Sequence, residues 1–292
     1  MVATFEYRAA TSVEEAVDLL TTNGDDAKVL AGGQSLVPLI NLGLAQPGVL
    51  IDINGIPGLD GIHEVNGSIA VGALVRHAIA EQSDAIRRAA PLLAEALPLI
   101  GDRQVRNRGT VGGSMAHADP VAELPTVAMC LGAKMRLDGP TGSRDVPASE
   151  FFVTYLTTAL EPNELLTAVW FPVTPAGTGV SFQELVRRKG DFAIVAAAAA
   201  LELAADGTCR KVNLALSGVA PTPVRATAAE DMLRGQSPTA DLIRRAATAA
   251  AQADDVDPES DVMASAGYRR AMAEVYSRRA LTEAAERAKP GR

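Results

Sequence analysis

Apolar positions in the first part of the chain follow the spacing of a small α/β unit. From Ser12 to Leu20 they recur at helical intervals, behind a serine that can cap the helix. A strand is predicted over 28–31, a helix over 36–44 and a second strand over 49–53. Because a glycine pair joins the first strand to the helix, this stretch predicts a β–α–β unit with both strands well buried.

The pattern continues with strands and helices in turn up to about residue 176. Strands are predicted over 68–74, 134–137 and 165–171, and helices over 78–86, 89–100 and 123–131. The polar, glycine-rich stretch 101–120 is predicted as a connecting segment, and 138–142 as a hairpin turn. Two prolines and two glycines within 172–179 mark the predicted domain boundary.

Strands precede helices in the remaining part of the chain. Strands are predicted over 180–187, 192–203 and 210–217, and helices over 226–233, 239–253 and 267–287. The alanine run 196–200 has high helix propensity, but Ile194 and Val195 precede it and Asp206-Gly207 closes it like a hairpin. We therefore predict a strand there, in an α+β domain whose antiparallel sheet is covered on one face.

Composition excludes several classes of protein. A length of 292 residues favours about two domains, and a formal charge of −8 disfavours a general nucleic-acid binder. The two cysteines and three histidines show no metal-ligand spacing, so we predict no metal site. Neither a basic, apolar leader nor an apolar run long enough to span a bilayer is present, which predicts a cytoplasmic chain without a transmembrane segment.

Two glycine pairs are the strongest chemical signal. Ala31-Gly32-Gly33-Gln34-Ser35 follows a predicted strand and opens a helix, and Thr110-Val111-Gly112-Gly113-Ser114 lies in the polar stretch. Adjacent glycines reach positive φ without strain and let successive N–H groups converge on one anion, which suits a pyrophosphate. Neither loop carries the Walker A or the dinucleotide G-x-G-x-x-G pattern. A pair of ordinary tight turns is the alternative.

The surrounding polar stretch leaves two further alternatives open. Arg103, Arg106 and Arg108 form either a solvated basic face or a set of contacts that hold the loop against carboxylates. His117 is either a satisfied polar residue in a turn or a contact to a cofactor. Since no pairing of a nucleophile with a base is found, no catalytic residue is predicted, and the reactive atoms are expected to belong to a bound nucleotide cofactor.

Three segments together resemble one family. They are Ala31–Ser35, the run Gln104–Ser114 with Asp119-Pro120 after it, and Glu184–Phe192. At these residues the chain resembles the FAD-binding medium subunit of the molybdenum hydroxylases, the carbon monoxide dehydrogenase and xanthine dehydrogenase family. The resemblance covers nearly the whole chain.

This resemblance implies an α+β fold with an FAD-binding domain of the vanillyl-alcohol-oxidase (PCMH) type over residues 1–176. Its two subdomains would span about 1–55 and 56–176, and a flavoprotein C-terminal domain would span 177–292. FAD would be bound without a covalent link, between the domains, with its pyrophosphate on the two glycine loops.

The resemblance also implies which residues surround FAD. In addition to the two loops themselves, it implies three residues that flank the first loop, Lys28, Leu30 and Leu36. It also implies four residues that surround the nucleotide: Val105, Gly109, His117 and Glu123. From the C-terminal side the flavin is approached by Leu166 and Gln183, and Phe192 falls where relatives place an aromatic ring beside the isoalloxazine.

The implied assembly is a heterotrimer, usually doubled. A large subunit would hold the molybdenum cofactor and the substrate, a small one two [2Fe–2S] clusters, and this chain would pass electrons to an external acceptor. Carbon monoxide dehydrogenases of the family usually carry histidine where this chain has Gln34, which weakens the case for carbon monoxide as substrate. Two alternatives are a self-sufficient oxidase on the same fold and a degenerate scaffold without cofactor.

Overall fold

The computed structural model describes residues 4–289. The first unit contains a parallel three-stranded sheet in the order β1-β3-β2 and two helices. Its elements are β1 (Glu6–Ala9), α1 (Val13–Asn23), β2 (Ala27–Leu30), α2 (Leu36–Asn41) and β3 (Val49–Asp52). The predicted β–α–β unit is present, but β2 is an edge strand and only partly buried, because the central place belongs to β3.

The second unit is built on an antiparallel five-stranded sheet in the order β4-β5-β10-β6-β7. Helices pack against one another and against this sheet in a shared apolar core. Its elements are β4 (Ile62–Val65), β5 (Ser68–Gly72), α3 (His77–Gln82), α4 (Asp84–Ala89), α5 (Pro91–Ala96), α6 (Arg103–Arg108), α7 (Val111–His117), α8 (Glu123–Leu131), β6 (Lys134–Gly139), β7 (Gly142–Pro147), α9 (Ala148–Phe151), β8 (Phe152–Thr154), β9 (Thr157–Thr158) and β10 (Leu165–Pro172).

The stretch 101–120 is not the connecting segment that the sequence predicts, since it forms α6 and α7. Both helices are short; α6 buries no side chain and α7 buries only Val111 and Met115, so both depend on caps. Asp102 accepts a hydrogen bond from the Val105 N–H (2.8 Å), and Thr110 accepts one from the Gly113 N–H (3.1 Å). The predicted helix 78–86 is likewise divided, because Ser83 ends α3 and caps α4.

The C-terminal unit is an antiparallel sheet in the order β11-β12-β13-β14, followed by three helices. Its elements are β11 (Gly179–Leu185), β12 (Val195–Leu203), β13 (Cys209–Ser217), β14 (Val224–Arg225), α10 (Thr227–Leu233), α11 (Ala240–Ala251) and α12 (Ala266–Arg287). The alanine run lies in β12, as predicted. Alternate alanines face the helices and the core of the second unit, so the sheet is covered on both faces rather than on one.

Polar contacts fix the C-terminal sheet against the second unit. The Asn213 side chain donates to the Cys130 carbonyl (2.7 Å), and the Glu95 carboxylate of α5 accepts from the Phe182 N–H (3.0 Å). Glu95 also pairs with Arg287 of α12 (2.8 Å). These contacts and the shared core fix the C-terminal sheet relative to the second unit. No helix within residues 4–289 is both long and apolar enough to cross a membrane.

Candidate functional site

The fold brings the two glycine loops into direct contact. A Cβ atom placed on Gly32 would lie 2.5 Å from the carbonyl oxygen of Arg108 and 2.8 Å from the Cα of Gly109. One placed on Gly113 would lie 3.9 Å from the Cβ of Ala31. Since real side chains do not come as close as the first two distances, Gly32 is the residue that allows the loops to meet.

The first loop, Ala31–Ser35, follows β2 and leads into α2. Gly33 has φ +72°, a left-handed conformation that favours glycine. Within residues 4–289 the backbone N–H groups of 32–35 donate no hydrogen bond, whereas the Gly33 and Ser35 carbonyls accept bonds from Val37 and Leu39. Successive N–H groups left without a partner in a turn form a concavity that binds anions.

The second loop, Thr110–Ser114, is a helix start rather than a loop. Thr110 is the N-cap of α7, and Gly112 and Gly113 lie in its first turn. The expectation of positive φ at paired glycines is therefore wrong for these two residues, and also for Gly32. Gly112 is needed for spacing instead, because a Cβ there would lie 2.4 Å from the Cβ of Ala73.

A polar bridge that the sequence reasoning missed joins the loops from the side. The Asn54 side chain donates to the Ala31 carbonyl (2.9 Å) and to the Asp52 carboxylate (2.6 Å). Arg76 donates to the Asn54 side-chain oxygen (2.6 Å) and to the Arg108 carbonyl. The bridge thus connects the end of β2, the end of β3 and the end of α6. Asn54, the polar residue directly after the buried strand 49–53, was its one signal in the sequence.

His77 lies behind the second loop and is another residue that sequence reasoning passed over. Its side chain is buried, and a Cβ on Gly109 would lie 3.0 Å from its Nδ1. Neither ring nitrogen has a hydrogen-bond partner among the described residues. Burial lowers the pKa of His77 to about 4, so the imidazole is neutral at physiological pH.

The three arginines of the polar stretch have different roles. Arg106 forms an ion pair with Glu81 (2.9 Å) and donates to the carbonyls of Ile100 (3.0 Å) and Gly101 (3.1 Å). Arg103 and the Arg108 side chain are exposed. Arg106 therefore holds the segment in place through a carboxylate, and the other two form part of the solvated face.

Several further predicted residues lie around the loops. Lys28 is exposed on β2, whereas Leu30 and Leu36 are half-buried at the two ends of the first loop. Val105 of α6 lies close to Gly101, where a Cβ would be 3.1 Å from the valine side chain. His117 ends α7, and Glu123 begins α8. Their contacts to FAD stay predictions.

The predicted residues on the C-terminal side do not all point the same way. Leu166 is buried in the core of the second unit. Gln183 donates to the Glu283 carboxylate of α12 (2.5 Å), on the opposite face of β11 from Phe182, and its approach to the flavin stays a prediction. Phe192 does not begin a core strand, since 67% of it is exposed in the connection between β11 and β12. Its place beside a flavin stays a prediction.

The donor set fits the pyrophosphate of a dinucleotide better than it fits a metal. Unpaired N–H groups and a left-handed glycine lie where the two glycine loops meet, and the neutral imidazole of His77, with one N–H to donate, lies behind them. No group of three histidine, cysteine or acidic side chains in residues 4–289 is placed to hold a metal ion. Burial raises the pKa of Cys130 to about 12 and that of Cys209 to about 11, so neither thiol is a ready ligand.

Comparison with known families decides the identity of the fold. Residues 3–174 match the model described as FAD binding domain in molybdopterin dehydrogenase, and residues 180–284 match CO dehydrogenase flavoprotein C-terminal domain. The chain belongs to the family of molybdenum hydroxylase FAD subunits. The resemblance and the fold class predicted from the sequence are thereby confirmed.

Individual relatives agree with this membership along the whole chain. The chain is 42% identical to the 6-hydroxypseudooxynicotine dehydrogenase complex subunit alpha of Paenarthrobacter nicotinovorans, over 98% of this chain and 96% of that one. It is 41% identical to the carbon monoxide dehydrogenase medium chain of Hydrogenophaga pseudoflava, over 96% of each. A solved structure of carbon monoxide dehydrogenase from that organism, lacking the Mo-pyranopterin moiety, superposes with TM-score 0.96 at 42% identity, covering 99% of this chain and 100% of that chain.

Family membership identifies FAD as the cofactor of this oxidoreductase subunit and leaves the individual contacts to be tested. The curated relatives are named as chains of different dehydrogenases, one acting on carbon monoxide and one on 6-hydroxypseudooxynicotine. The same FAD-subunit fold therefore serves enzymes with unrelated substrates. The domain boundary predicted at 176/177 falls between β10 and β11 and stays a prediction.

Proposed function

We propose that this chain carries FAD as the electron-transfer subunit of a molybdenum hydroxylase. A small partner subunit with two [2Fe–2S] clusters delivers the electrons, and an external acceptor receives them. The molybdenum cofactor and the substrate are held by a large partner subunit. The single observation that carries the proposal is the contact between Gly32 and the Arg108–Gly109 backbone, which joins the two glycine loops into one anion-binding junction.

In this proposal the junction binds the FAD pyrophosphate through backbone donors. The N–H groups of 32–35 and the Ser35 hydroxyl would donate to the phosphates, since these N–H groups donate no backbone bond within residues 4–289. FAD supplies the two-electron chemistry once bound. The protein binds and orients it, and the Asp52–Asn54–Arg76 bridge keeps the loops at the required separation.

The chemistry of the substrate takes place outside this chain. The described residues contain no metal cluster site, and both cysteines are buried in the packed cores. We propose that the complex is a dimer of heterotrimers, and the cytoplasmic location predicted from the sequence stays a prediction. Gln34 of the first loop stands where carbon monoxide dehydrogenases usually carry histidine, which weakens the case for carbon monoxide, but the substrate itself is set by the large subunit.

Purification of the native complex from its host tests the proposal. We expect two further polypeptides, molybdenum, iron and about one FAD per copy of this chain. Acid precipitation should release all of the yellow colour, because the flavin is held without a covalent link. A lone yellow protein that oxidises a small substrate by itself would replace the proposal with the self-sufficient oxidase, and a colourless one would favour a scaffold.

A further inference from the structure

The side chain of Arg76 carries a positive charge that no carboxylate in residues 4–289 pairs with directly. It is partly buried, and its two terminal nitrogens donate to the Asn54 side-chain oxygen (2.6 Å) and to the Arg108 carbonyl. Both acceptors are uncharged, and none of the ion pairs in the described chain includes this arginine. A partly buried charge is costly without a charged partner, so Arg76 requires an anion nearby to offset it.

The charged groups around Arg76 leave an excess of positive charge. Asp52 lies beyond Asn54, which donates to it (2.6 Å), and the same carboxylate also accepts from the Tyr7 hydroxyl (2.5 Å). The exposed Arg108 side chain is a second cation nearby. Burial first, and the like charge of Arg108 second, lower the pKa of Arg76, and Asp52 opposes them only in part. A guanidinium still keeps its charge at physiological pH, so two cations share one carboxylate that is already hydrogen-bonded.

The Arg108 carbonyl sets how far Arg76 lies from the first glycine loop. A Cβ atom on Gly32 would lie 2.5 Å from this oxygen, and Arg76 donates to the same oxygen. With ordinary bond and hydrogen-bond lengths, the Arg76 nitrogen is therefore at most about 7 Å from the Gly32 Cα. On the other side Asn54 accepts from Arg76 and donates to the Ala31 carbonyl (2.9 Å). The charge is thus fixed beside the first loop by hydrogen bonds to both sides of it.

An anion bound by the first loop lies within the range of this charge. The N–H groups of 32–35 donate no backbone bond within the described chain, and the proposed function places the FAD pyrophosphate on them. This step rests on that proposed function. At an effective dielectric constant of about 20, two unit charges about 7 Å apart attract strongly enough to change a dissociation constant by more than about tenfold. Arg76 is therefore close enough to strengthen FAD binding through its charge.

We propose that Arg76 is the counter-ion of the FAD pyrophosphate. Its donors stay on Asn54 and on the Arg108 carbonyl, so the guanidinium acts as a fixed charge beside the first loop and needs no direct bond to a phosphate oxygen. The pyrophosphate in turn supplies the charged partner for Arg76 that residues 4–289 do not supply. The loop N–H groups bind the phosphates by hydrogen bonds, and Arg76 adds the attraction of a full charge.

Arg76 also joins the two loops through its hydrogen bonds, and the two roles respond differently to substitution. Lysine keeps the charge but lacks the planar fork that reaches two acceptors, whereas glutamine removes the charge. The effect of a charge weakens with added salt, because the Debye length falls from about 10 Å at 0.1 M to about 3 Å at 1 M. The loss of a hydrogen bond between neutral groups has no such dependence on salt.

Titration of the FAD-free full chain with FAD, followed by flavin fluorescence, measures the effect of the charge. At about 0.1 M salt Arg76→Gln should weaken FAD binding by about tenfold, and Arg76→Lys by less than about threefold. At about 1 M salt the difference between the unsubstituted chain and Arg76→Gln should fall to about threefold or less. Arg103→Gln is the matched control, since it removes an exposed arginine of α6 and should leave FAD affinity unchanged.

Competition with ADP tests whether the charge acts on the pyrophosphate. ADP carries the pyrophosphate of FAD without the flavin ring, so it should displace FAD from the unsubstituted chain. Its affinity should fall by about tenfold in Arg76→Gln, as that of FAD does. An unchanged ADP affinity in this variant would overturn the proposal, because Arg76 would then act on another part of FAD.

Two further results would overturn the proposal. One is an equal loss of FAD affinity in Arg76→Lys and Arg76→Gln at both salt concentrations, which would leave Arg76 with its hydrogen bonds alone. The other is an Arg76→Gln variant that melts well below Arg76→Lys in the absence of FAD, since removal of an unpaired charge should not destabilise the FAD-free chain. Failure of the unsubstituted chain to bind FAD would instead refute the proposed function itself.

Discussion

The two glycine loops look alike in sequence and differ in structure. Ala31–Ser35 is a true turn, with a left-handed Gly33 and backbone N–H groups that donate to nothing in the described chain. Thr110–Ser114 is the first turn of α7, where the Thr110 hydroxyl already accepts the Gly113 N–H. A glycine pair therefore indicates either an open anion nest or close packing, and only the backbone conformation tells which.

The two loops differ most clearly in the atoms that a methyl group added at one of their glycines would contact. At Gly33 the nearest atoms are the flexible side chains of Val37 (3.2 Å) and Leu30 (3.3 Å). At Gly112 they are the Cβ and backbone of Ala73, on the segment that follows β5. We therefore expect substitution of Gly112 to unfold the protein locally, and substitution of Gly33 to act on FAD.

The largest expected effect is that of Gly112→Ala. The added methyl group forces α7 away from Ala73 and should lower the free energy of unfolding by about 1–3 kcal/mol. FAD should be lost together with stability. Thermal unfolding of the variant, with and without added FAD, measures both. A variant that keeps its melting temperature but loses FAD would show that Gly112 acts on the cofactor, against the packing interpretation.

Acidification should destabilise the second loop through His77. Its folded-state pKa of about 4 lies below the unfolded value of 6.5, so the unfolded chain binds the proton more tightly. The stability contributed by the neutral ring is present above pH 6.5 and is lost as the pH falls toward 4, by up to about 3 kcal/mol.

Melting temperature against pH measures this effect. His77→Gln should flatten the loss between pH 6.5 and 4, whereas His63→Gln, at an exposed position on β4, should follow the unsubstituted protein. Equal pH profiles for the two variants would contradict the role assigned to His77.

Gly33→Ala tests the first loop against a matched turn. Gly33 and Gly43 share almost the same φ, +72° and +73°, and nothing lies within 4 Å of a Cβ at Gly43. Both substitutions should cost about 1–2 kcal/mol of backbone strain. Gly33→Ala alone should also weaken FAD binding, by about tenfold, a loss of about 1.4 kcal/mol. Equal FAD affinities in the two variants would remove Gly33 from the cofactor site.

The smallest effect is expected from the loop hydroxyls. Ser35→Ala should leave stability unchanged, because the hydroxyl has no partner in the described chain, and should weaken FAD binding by about 1–2 kcal/mol. Thr110→Val should instead lower stability by about 1 kcal/mol through loss of the α7 cap. Fluorescence titration with FAD and thermal unfolding separate the two. A stability loss in Ser35→Ala would show that the Ser35 hydroxyl, like that of Thr110, stabilises the fold of its own loop.

Much of the fold could be predicted from the sequence, because regular spacing of apolar residues marks its longer strands and helices. The β–α–β unit, the alanine strand and the three C-terminal helices each follow from spacing, turns and caps. The helices α6 and α7 could not be predicted, because segments of six or seven residues that bury at most two apolar side chains, Val111 and Met115 of α7, depend on caps and neighbours. The exposed strand β1 left no apolar signal.

Only part of the candidate site could be predicted from the sequence, because its contacts join residues that are far apart along the chain. Glycine pairs are visible in any sequence, but their contact is made by Gly32 and Arg108, which are far apart along the chain. The Asn54–Arg76 bridge and the buried His77 depend entirely on tertiary packing. The place of Gln183 near the flavin, implied by the family resemblance, stays a prediction, and in the structure its side chain donates to Glu283 of α12.

A structure of the FAD-loaded complex tests the central claim most directly. The account predicts that the pyrophosphate oxygens lie between the two loops, within hydrogen-bond distance of N–H groups in 32–35 and of the start of α7. A pyrophosphate bound elsewhere on the chain, with Ala31–Ser35 free of phosphate contacts, would contradict it.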